Sequence, residues 1–404
     1  MSSDAWADRS VAVPTISAPS SVACLRSLGR RGIRTIAVSE HERSPAARSK
    51  YCDETVPVPD PHDDLLAYKD ALRSIAMRPD VATIIPVRDV DVYVLSKYRS
   101  EFRDYVATPW PDMETLAKTH DRVQLFEAAE KADVPMPETG LLDESRDWDR
   151  EWIVKARYAV LADEYVDHYS PSQFVDPPTT EYLRPGVEPD VDVFRREMHH
   201  VPLLQEYVPS TDEYGFFALY DHGEPVATFQ HRQIRAYSYA GGPSSFRESV
   251  RIPALENAGR DLLDQLEWHG LAMVEFLRDD DGEFRLMEVN PRFWSSLPFS
   301  VQAGADFPYY YWLLANGEKE RIDHEYEAGI AGHLLRGELL YLRSILFEDY
   351  ELTEKPSFSS ALTDVLWSIV EHPRFDYAST DDVWPFVQDL QDAYDYYKNR
   401  DSVK

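Results

Sequence analysis

The first forty residues constrain the fold most tightly. VAVPTIS (11–17) is a short apolar run. PSSVACLRSLGRRG (19–32) sets Val22, Leu25 and Leu28 on one helical face, with Ser20 or Ser21 as the expected cap and Gly29 or Gly32 as the stop. IRTIAVS (33–39) is a second apolar run. Two buried strands joined through a helix take a right-handed crossover, which makes them parallel neighbours. The pattern continues. DPHDDLLAYKDALRSIAMR (60–78) reads as a helix with Pro61 in its first turn and VATIIPV (81–87) as a strand. Residues 89–102 read as a helix and YVATP (105–109) as another strand. Residues 10–110 are therefore expected to form a small open α/β domain. Its first turn reads ISAPSS, without the GxGxxG of a dinucleotide site.

The period then changes. METLAKTHDRVQLFEAAEKADV (113–134) reads as one helical stretch and EWIVKAR (151–157) as a strand. Residues 158–190, rich in Pro, Asp and Tyr, read as a mobile loop. From Pro202 the alternation is that of antiparallel strands, with hairpins turning at Asp221–Gly223 and Asp279–Gly282 and a helix at 254–268 between them. The last 85 or so residues read as mostly helical, with Trp367, Phe386 and Tyr394 as packing residues. Four units are expected: 1–112, an α/β domain beginning with a loose tail at 1–9; 113–200; 201–320; and a helical region, 321–404.

Charge narrows the partners. The chain carries 72 acidic against 42 basic residues, a net charge of −30, and only 10 of the basic residues are lysines. That is the composition of a protein from a salt-loving archaeon, whose surface charge is screened over a few Å. It argues against binding nucleic-acid phosphates or anionic lipid. Two cysteines, Cys24 in a helical pattern and Cys52, make neither a disulfide framework nor a CxxC site. There is no apolar run of membrane-spanning length and no leader pattern, so a cytoplasmic protein is expected.

The stretch FRLMEVNPRFW (284–294) carries the chemistry. Glu288, Asn290 and Arg292 stand at two-residue spacing and so share one strand face, opposite Met287, Val289 and Phe293. An even-numbered loop in the hairpin sets Leu286 opposite Glu275 and Glu288 diagonal to it, about 7–8 Å away. Oxygen-only ligands from Glu275, Glu288 and Asn290 suit Mg²⁺ or Mn²⁺, and Mg²⁺ held by few protein ligands completes its shell with phosphate and water.

MVEFLRDDDGEFRLMEVNPRFW (273–294) resembles the metal-binding hairpin of ATP-grasp enzymes, in which a Glu on one strand precedes an E-x-N-P-R strand. HDRVQLFEAAEKADVPMPET (120–139), WIVKA (152–156) and LLQEYVPSTDEY (203–214) are similar to further motifs of that family, in the family's order. LRSLGRRGIRTIAV (25–38) resembles the leader domain of carboxylate–amine ligases related to carbamoyl-phosphate synthase. The likeness covers about residues 10–320.

The resemblance implies an ATP-grasp fold behind a small parallel α/β domain, with a helical C-terminal extension, and ATP with Mg²⁺ (or Mn²⁺) as cofactors. It implies a phosphate contact for Lys155, and for Arg122, which stands where the family has Lys, with Lys118 as a substitute. It gives the adenine to the backbone of Tyr207 and Val208 with the Glu206 side chain, and the ribose to Asp212 or Glu213. The basic stretch 230–249, with His231, Arg232, Arg235, Gly241, Gly242 and Arg247, is expected to bind phosphate and the carboxylate substrate. Arg292, with Arg232, is expected to face a developing acyl phosphate. The implied reaction joins a carboxylate to an amine, less often a thiol, and a homodimer is allowed. A phosphotransferase on the same fold and a non-catalytic nucleotide-binding protein remain open. One departure stands out: no glycine follows Lys155 until Gly186, where the family has a Gly-rich phosphate loop.

Overall fold

In the computed structural model, which describes residues 9–41, 43–144, 147–209, 212–350 and 353–401 (without the side chains of 396–401), the expected strand–helix units are present. They are β1 (Ser10–Pro14), α1 (Pro19–Gly29), β2 (Arg34–Ser39), β3 (Glu54–Pro57), a strand not anticipated from the sequence, α2 (Leu65–Ala76), β4 (Val81–Ile84), and, where the sequence reads as one helix, α3 (Asp89–Lys97) and α4 (Arg99–Phe102). Their strands form an all-parallel sheet in the order β3-β2-β1-β4. Three local expectations change. Of YVATP, only Ala107 joins the sheet, through a single bridge to Thr83. The second helix starts four residues after Pro61, where the Asp64 carboxylate accepts from the Ala67 N–H as N-cap. α1 is started by Pro19 after Ala18; the Ser21 hydroxyl donates instead to the Pro14 carbonyl.

The stretch 113–134 is two helices, α5 (Met113–His120) and α6 (Arg122–Lys131). Asp121 breaks them. Its carboxylate caps α6 by accepting from the Val123 N–H and takes two hydrogen bonds from the Arg157 guanidinium, at 2.8 and 2.6 Å. Next come β5 (Thr139–Leu141), β6 (Trp152–Lys155), β7 (Leu161–Ala162), β8 (Phe174–Val175), β9 (Glu181–Leu183), α7 (Val191–Met198) and β10 (Leu203–Glu206). Four of these strands form an antiparallel sheet, β5-β10-β6-β9. The segment 158–190 is thus not featureless. β7 pairs with β8, and Val160, Ala162 and Phe174 are buried in the core of the N-terminal domain.

The third sheet is built from β11 (Asp212–Asp221), β12 (Glu224–Ser238), β13 (Gly241–Ser249), β14 (Gly270–Arg278), β15 (Phe284–Asn290) and β16 (Ala331–His333), in the order β15-β14-β11-β12-β13-β16. Alternation along β11 decides what covers each face. Phe217 and Leu219 pack with Trp294, Phe299 and residues of α1, while Phe216, Ala218 and Tyr220 pack with α6 and α8 (Pro253–Gln265). α9 (Leu297–Gln302) and α10 (Phe307–Ala315) wedge the sheet against the N-terminal domain.

α11 (Leu335–Phe347), α12 (Phe358–Glu371) and α13 (Trp384–Asp401) follow. Phe386 is half-buried against the core as expected, but Trp367 is 69% and Tyr394 65% exposed. Charges, not these aromatics, hold the region in place. Arg26 of α1 pairs with Asp382 at 2.8 Å, Arg247 of β13 with Asp376, and Arg235 of β12 with Glu338 at 2.7 Å. Among the described residues, no helix is long and apolar enough to cross a membrane. Cys24 is buried, as its helical position implies.

Candidate active site

A cavity of about 810 Å³ opens where the three sheets meet. Its floor is the β14–β15 hairpin. Glu275 and Glu288 are direct cross-strand partners, not diagonal ones. Phe276 pairs with Leu286, so Met287 is the extra residue of a bulge, and the bulge moves the pairing by one. The Asn290 amide donates to one oxygen of each carboxylate, at 3.2 Å to Glu275 and 3.1 Å to Glu288. The three predicted ligands therefore converge.

Cations ring this group. Arg122 donates to Glu288 at 3.3 Å and to the Ala156 carbonyl at 2.8 Å. Arg292 donates to the Asn290 side-chain carbonyl at 3.0 Å and to Asp89 of the N-terminal domain at 2.8 Å. Lys155, at the buried end of β6, faces the same space. Burial, with Arg122 adding to it, pushes the Lys155 ammonium down to about 7. Burial and the facing Glu288 push Glu275 up to about 8. Glu288 goes the other way: burial opposes the shift, but Arg122, Lys155 and the Asn290 amide outweigh it and hold its carboxyl below the ordinary value. Two carboxylates this close, one of them driven toward its neutral form, repel each other across an open space lined with oxygen donors. An all-oxygen donor set of two facing carboxylates and an amide oxygen fits a hard dication such as Mg²⁺ or Mn²⁺.

The other predicted residues divide. Tyr207, Val208 and Glu213 line the cavity. Burial pushes Glu213 up to about 7, against a hydrogen bond from Gln233. Glu206 does not line it. Successive residues of a strand face opposite ways, so Gln205 points in while Glu206 accepts from the Glu138 N–H at 3.2 Å and lies 3.7 Å from Arg150. Asp212 pairs with Arg232 at 3.4 Å away from the cavity lining. Lys118 on α5 is also not part of the lining.

The basic stretch does not gather its arginines at the cavity. Arg232, Arg235 and Arg247 are spent on Asp212, Glu338 and Asp376, and none of them lines the cavity. His231 does line it, but its ring sits among Phe217, Phe229 and Phe299, and burial, with Arg247 adding to it, pushes it down to about 3. Gly242 is at the cavity and Gly241 is not; both hold φ above +100°, a conformation side chains rarely adopt.

Several lining residues escaped the sequence reading. Asp89 sits where β4 hands over to α3, and its contact with Arg292 joins residues 203 positions apart. Ile16, Ala18 and Ser20 bring the ISAPSS turn to the same wall. Tyr182 of β9 stacks edge-on to Tyr207, with ring centres 5.9 Å apart, at the mouth. A second group of metal-type side chains, Asp221, His222 and His269, lies at the β11–β12 turn. There Lys319 already neutralises Asp221 at 2.6 Å, and the two imidazoles stack face to face.

Residues 199–332 match a family model described as ATP-grasp in the biosynthetic pathway with Ter operon. A search of curated proteins finds no match. Among solved structures, the ADP complex of purK, N5-carboxyaminoimidazole ribonucleotide synthetase, superimposes with a TM-score of 0.60 at 17% identity, over 89% of this chain and 96% of that one. The biotin carboxylase domain dimer of Hydrogenobacter thermophilus 2-oxoglutarate carboxylase, in complex with MgADP, ADP and bicarbonate, gives 0.60 at 14% identity, over 80% of this chain and 73% of that one. N5-carboxyaminoimidazole synthetase from Staphylococcus aureus gives 0.57 at 13% identity, over 80% of each chain. The architecture is an ATP-grasp fold preceded by a small parallel α/β domain and followed by helices.

Proposed function

We propose that the chain is an ATP-dependent ligase that joins a small-molecule carboxylate to an amine and releases ADP and phosphate. The observation that carries this reading is the convergence of Glu275, Glu288 and Asn290 with Lys155, Arg122 and Arg292 on one cavity. Regions 113–200 and 201–320 act as the two halves that hold the nucleotide, and 1–112 supplies the wall against which the second substrate rests.

Glu275, Glu288 and Asn290 would hold Mg²⁺ or Mn²⁺, which supplies Lewis-acid charge neutralisation at the phosphates. The protein's own residues then position and neutralise. Tyr207 and Val208 offer backbone groups to adenine, and Gln205 offers a side-chain oxygen that is buried and without a partner. Lys155, held near the edge of losing its proton by burial, gains it fully when an anionic phosphate arrives beside it. A carboxylate oxygen attacks the γ-phosphorus; the bond from that phosphorus to the β-γ bridging oxygen breaks, and ADP leaves. The amine nitrogen then attacks the acyl carbon, the carbon–oxygen bond to phosphate breaks, and the nitrogen gives up a proton. Arg292, braced by Asp89, is placed to meet the charge on the acyl phosphate.

The test is ADP and phosphate release by the purified chain in high KCl, across paired carboxylates and amines. Phosphate release that requires both members of a pair supports the ligase. ADP release without an amine, leaving a stable phosphorylated product, makes the protein a phosphotransferase instead.

A further inference from the structure

The start of α1 leaves donors unused. Its N-cap is Ala18, in the extended backbone that a cap requires (φ −125°, ψ 151°), but alanine has no side-chain oxygen to accept with. Asp64 and Asp112 fill that role for α2 and α5, accepting from the Ala67 and Thr115 N–H groups. At α1 the N–H groups of Ser20 and Ser21 have no acceptor among the described residues, and the first turn holds no acid. The Ser21 hydroxyl is spent on the chain itself, accepting from the Ile16 N–H at 3.5 Å and donating to the Pro14 carbonyl at 3.0 Å. The Ser20 hydroxyl is not: it has no hydrogen-bond partner among the described residues, and neither has that of Ser296, just before α9. Ser20 is 1% and Ser296 4% exposed, and both border the cavity that holds Lys155 and Arg292. Ala18 borders it too. The two serines reach one wall because α1 packs on α9, with Val22 and Leu25 in the same core as Leu297 and Phe299.

We propose that the N-terminus of α1, with the Ser20 and Ser296 hydroxyls, binds an oxyanion of the second substrate, a carboxylate or a phosphate monoester. Only the identity of the molecule that carries the anion rests on the ligase reading; the anion site itself stands on the unused donors. Two amides and two hydroxyls can all donate at once, since a hydroxyl turns its proton to suit. A helix start is a positive pole, and free N–H groups there favour a negative oxygen. A neutral apolar group would leave the amides unpaired, and an ammonium group would meet donors with its own donors. In a chain of net charge −30, most of the surface repels an anion. This wall offers it a helix start with no acid in its first turn, in the same cavity as Arg292. The missing cap at Ala18 then has a use: a capping side chain would take the donors that the substrate needs.

The experiment titrates the full chain, labelled with ¹⁵N-serine, with potassium phosphate and with potassium succinate, each exchanged for chloride at constant potassium. ATP and metal are left out, so the result is independent of the ligase assay and a failure of either leaves the other standing. The expected result is a saturable shift of the Ser20 and Ser21 amide signals. Saturation by phosphate alone assigns a phosphate monoester, by succinate alone a carboxylate, and by both an oxyanion site that accepts either. Ser20→Ala with Ser296→Ala, followed at Ser21, should weaken binding at least about 10-fold. Ala18→Asp supplies from the chain the acceptor that the ligand would supply, so it should raise the melting temperature and abolish the shifts. No saturable shift at these amides with either probe overturns the proposal. Undiminished binding in Ala18→Asp overturns it too, and if that variant does not fold, undiminished binding in the serine pair does the same.

Discussion

Glu275 and Glu288 face each other as cross-strand partners, with the Asn290 amide donating to both. The like charge of Glu288 is one reason that Glu275 is held toward its neutral form. Glu288→Gln removes that repulsion while keeping the shape. It also gives up the attraction of Arg122 and Lys155 that holds the Glu288 carboxyl low, so the variant should melt somewhat below the parent at neutral pH and should lose ATP turnover by about 100-fold or more, the scale for removing one group from a preorganised charged site. Turnover within a few-fold of the parent would sink the assignment of this hairpin to metal and phosphate.

Tyr182 marks the part of 158–190 that meets the cavity. The beginning of that segment is tied down, with the Leu65 N–H donating to the Ser172 carbonyl and Phe174 buried, whereas Tyr182 is 56% exposed. Chymotrypsin should cut after Tyr182 in the free protein, and much more slowly with Mg²⁺ and a non-hydrolysable ATP analogue. Equal rates in both states would leave the segment a fixed wall with no closing role.

The buried His231 gives stability a definite pH sense. Its ordinary value is 6.5 and its folded value about 3, so the unfolded chain takes up a proton that the folded chain refuses. The stability this protects is complete above about pH 6.5 and is lost as pH falls toward 3. At pH 5 the loss is about 2 kcal/mol, from 1.4 kcal/mol per unit. His231→Phe should therefore shrink the drop in melting temperature between pH 7.5 and pH 5, although His120, held at about 4, keeps part of it. An unchanged drop would show that the ring is already protonated, or paired, in the fold.

Salt tests the charge reading. Self-repulsion at −30 should lower stability in dilute buffer, so melting should rise clearly between about 0.1 and 2 M KCl. Equal melting at both ends would mean that the internal ion pairs already balance the surface.

Periodicity made the strands and the shared face of Glu288 and Asn290 legible, because alternation is a local property of the chain. The bulge at Met287 was not legible: one extra residue leaves the alternation of LMEVN intact while changing its cross-strand partner. Arg235 and Arg247 show a different limit. Their charge is visible in sequence, but the acids that consume it, Glu338 and Asp376, lie 103 and 129 positions away. Asp121 shows a third limit. It falls inside an unbroken helical pattern, and only its hydrogen bonds with Arg157 reveal that it ends one helix and starts another. Trp367 reads as a packing residue because it is large and apolar, yet it is mostly exposed.

The pairing of Arg26 with Asp382 has a consequence for synthesis. The arginine belongs to the first helix, and its neutralising acid lies 356 residues later. Arg247 likewise waits for Asp376. Until residues 376–382 emerge, the Arg26 guanidinium has neither the carboxylate nor the backbone carbonyls that hold it, and the N-terminal domain keeps that face open to water. That face is covered only when almost the whole chain has emerged. A chain cut short just before position 376 should therefore leave Arg26 and Arg247 without their acids and melt lower than the full chain.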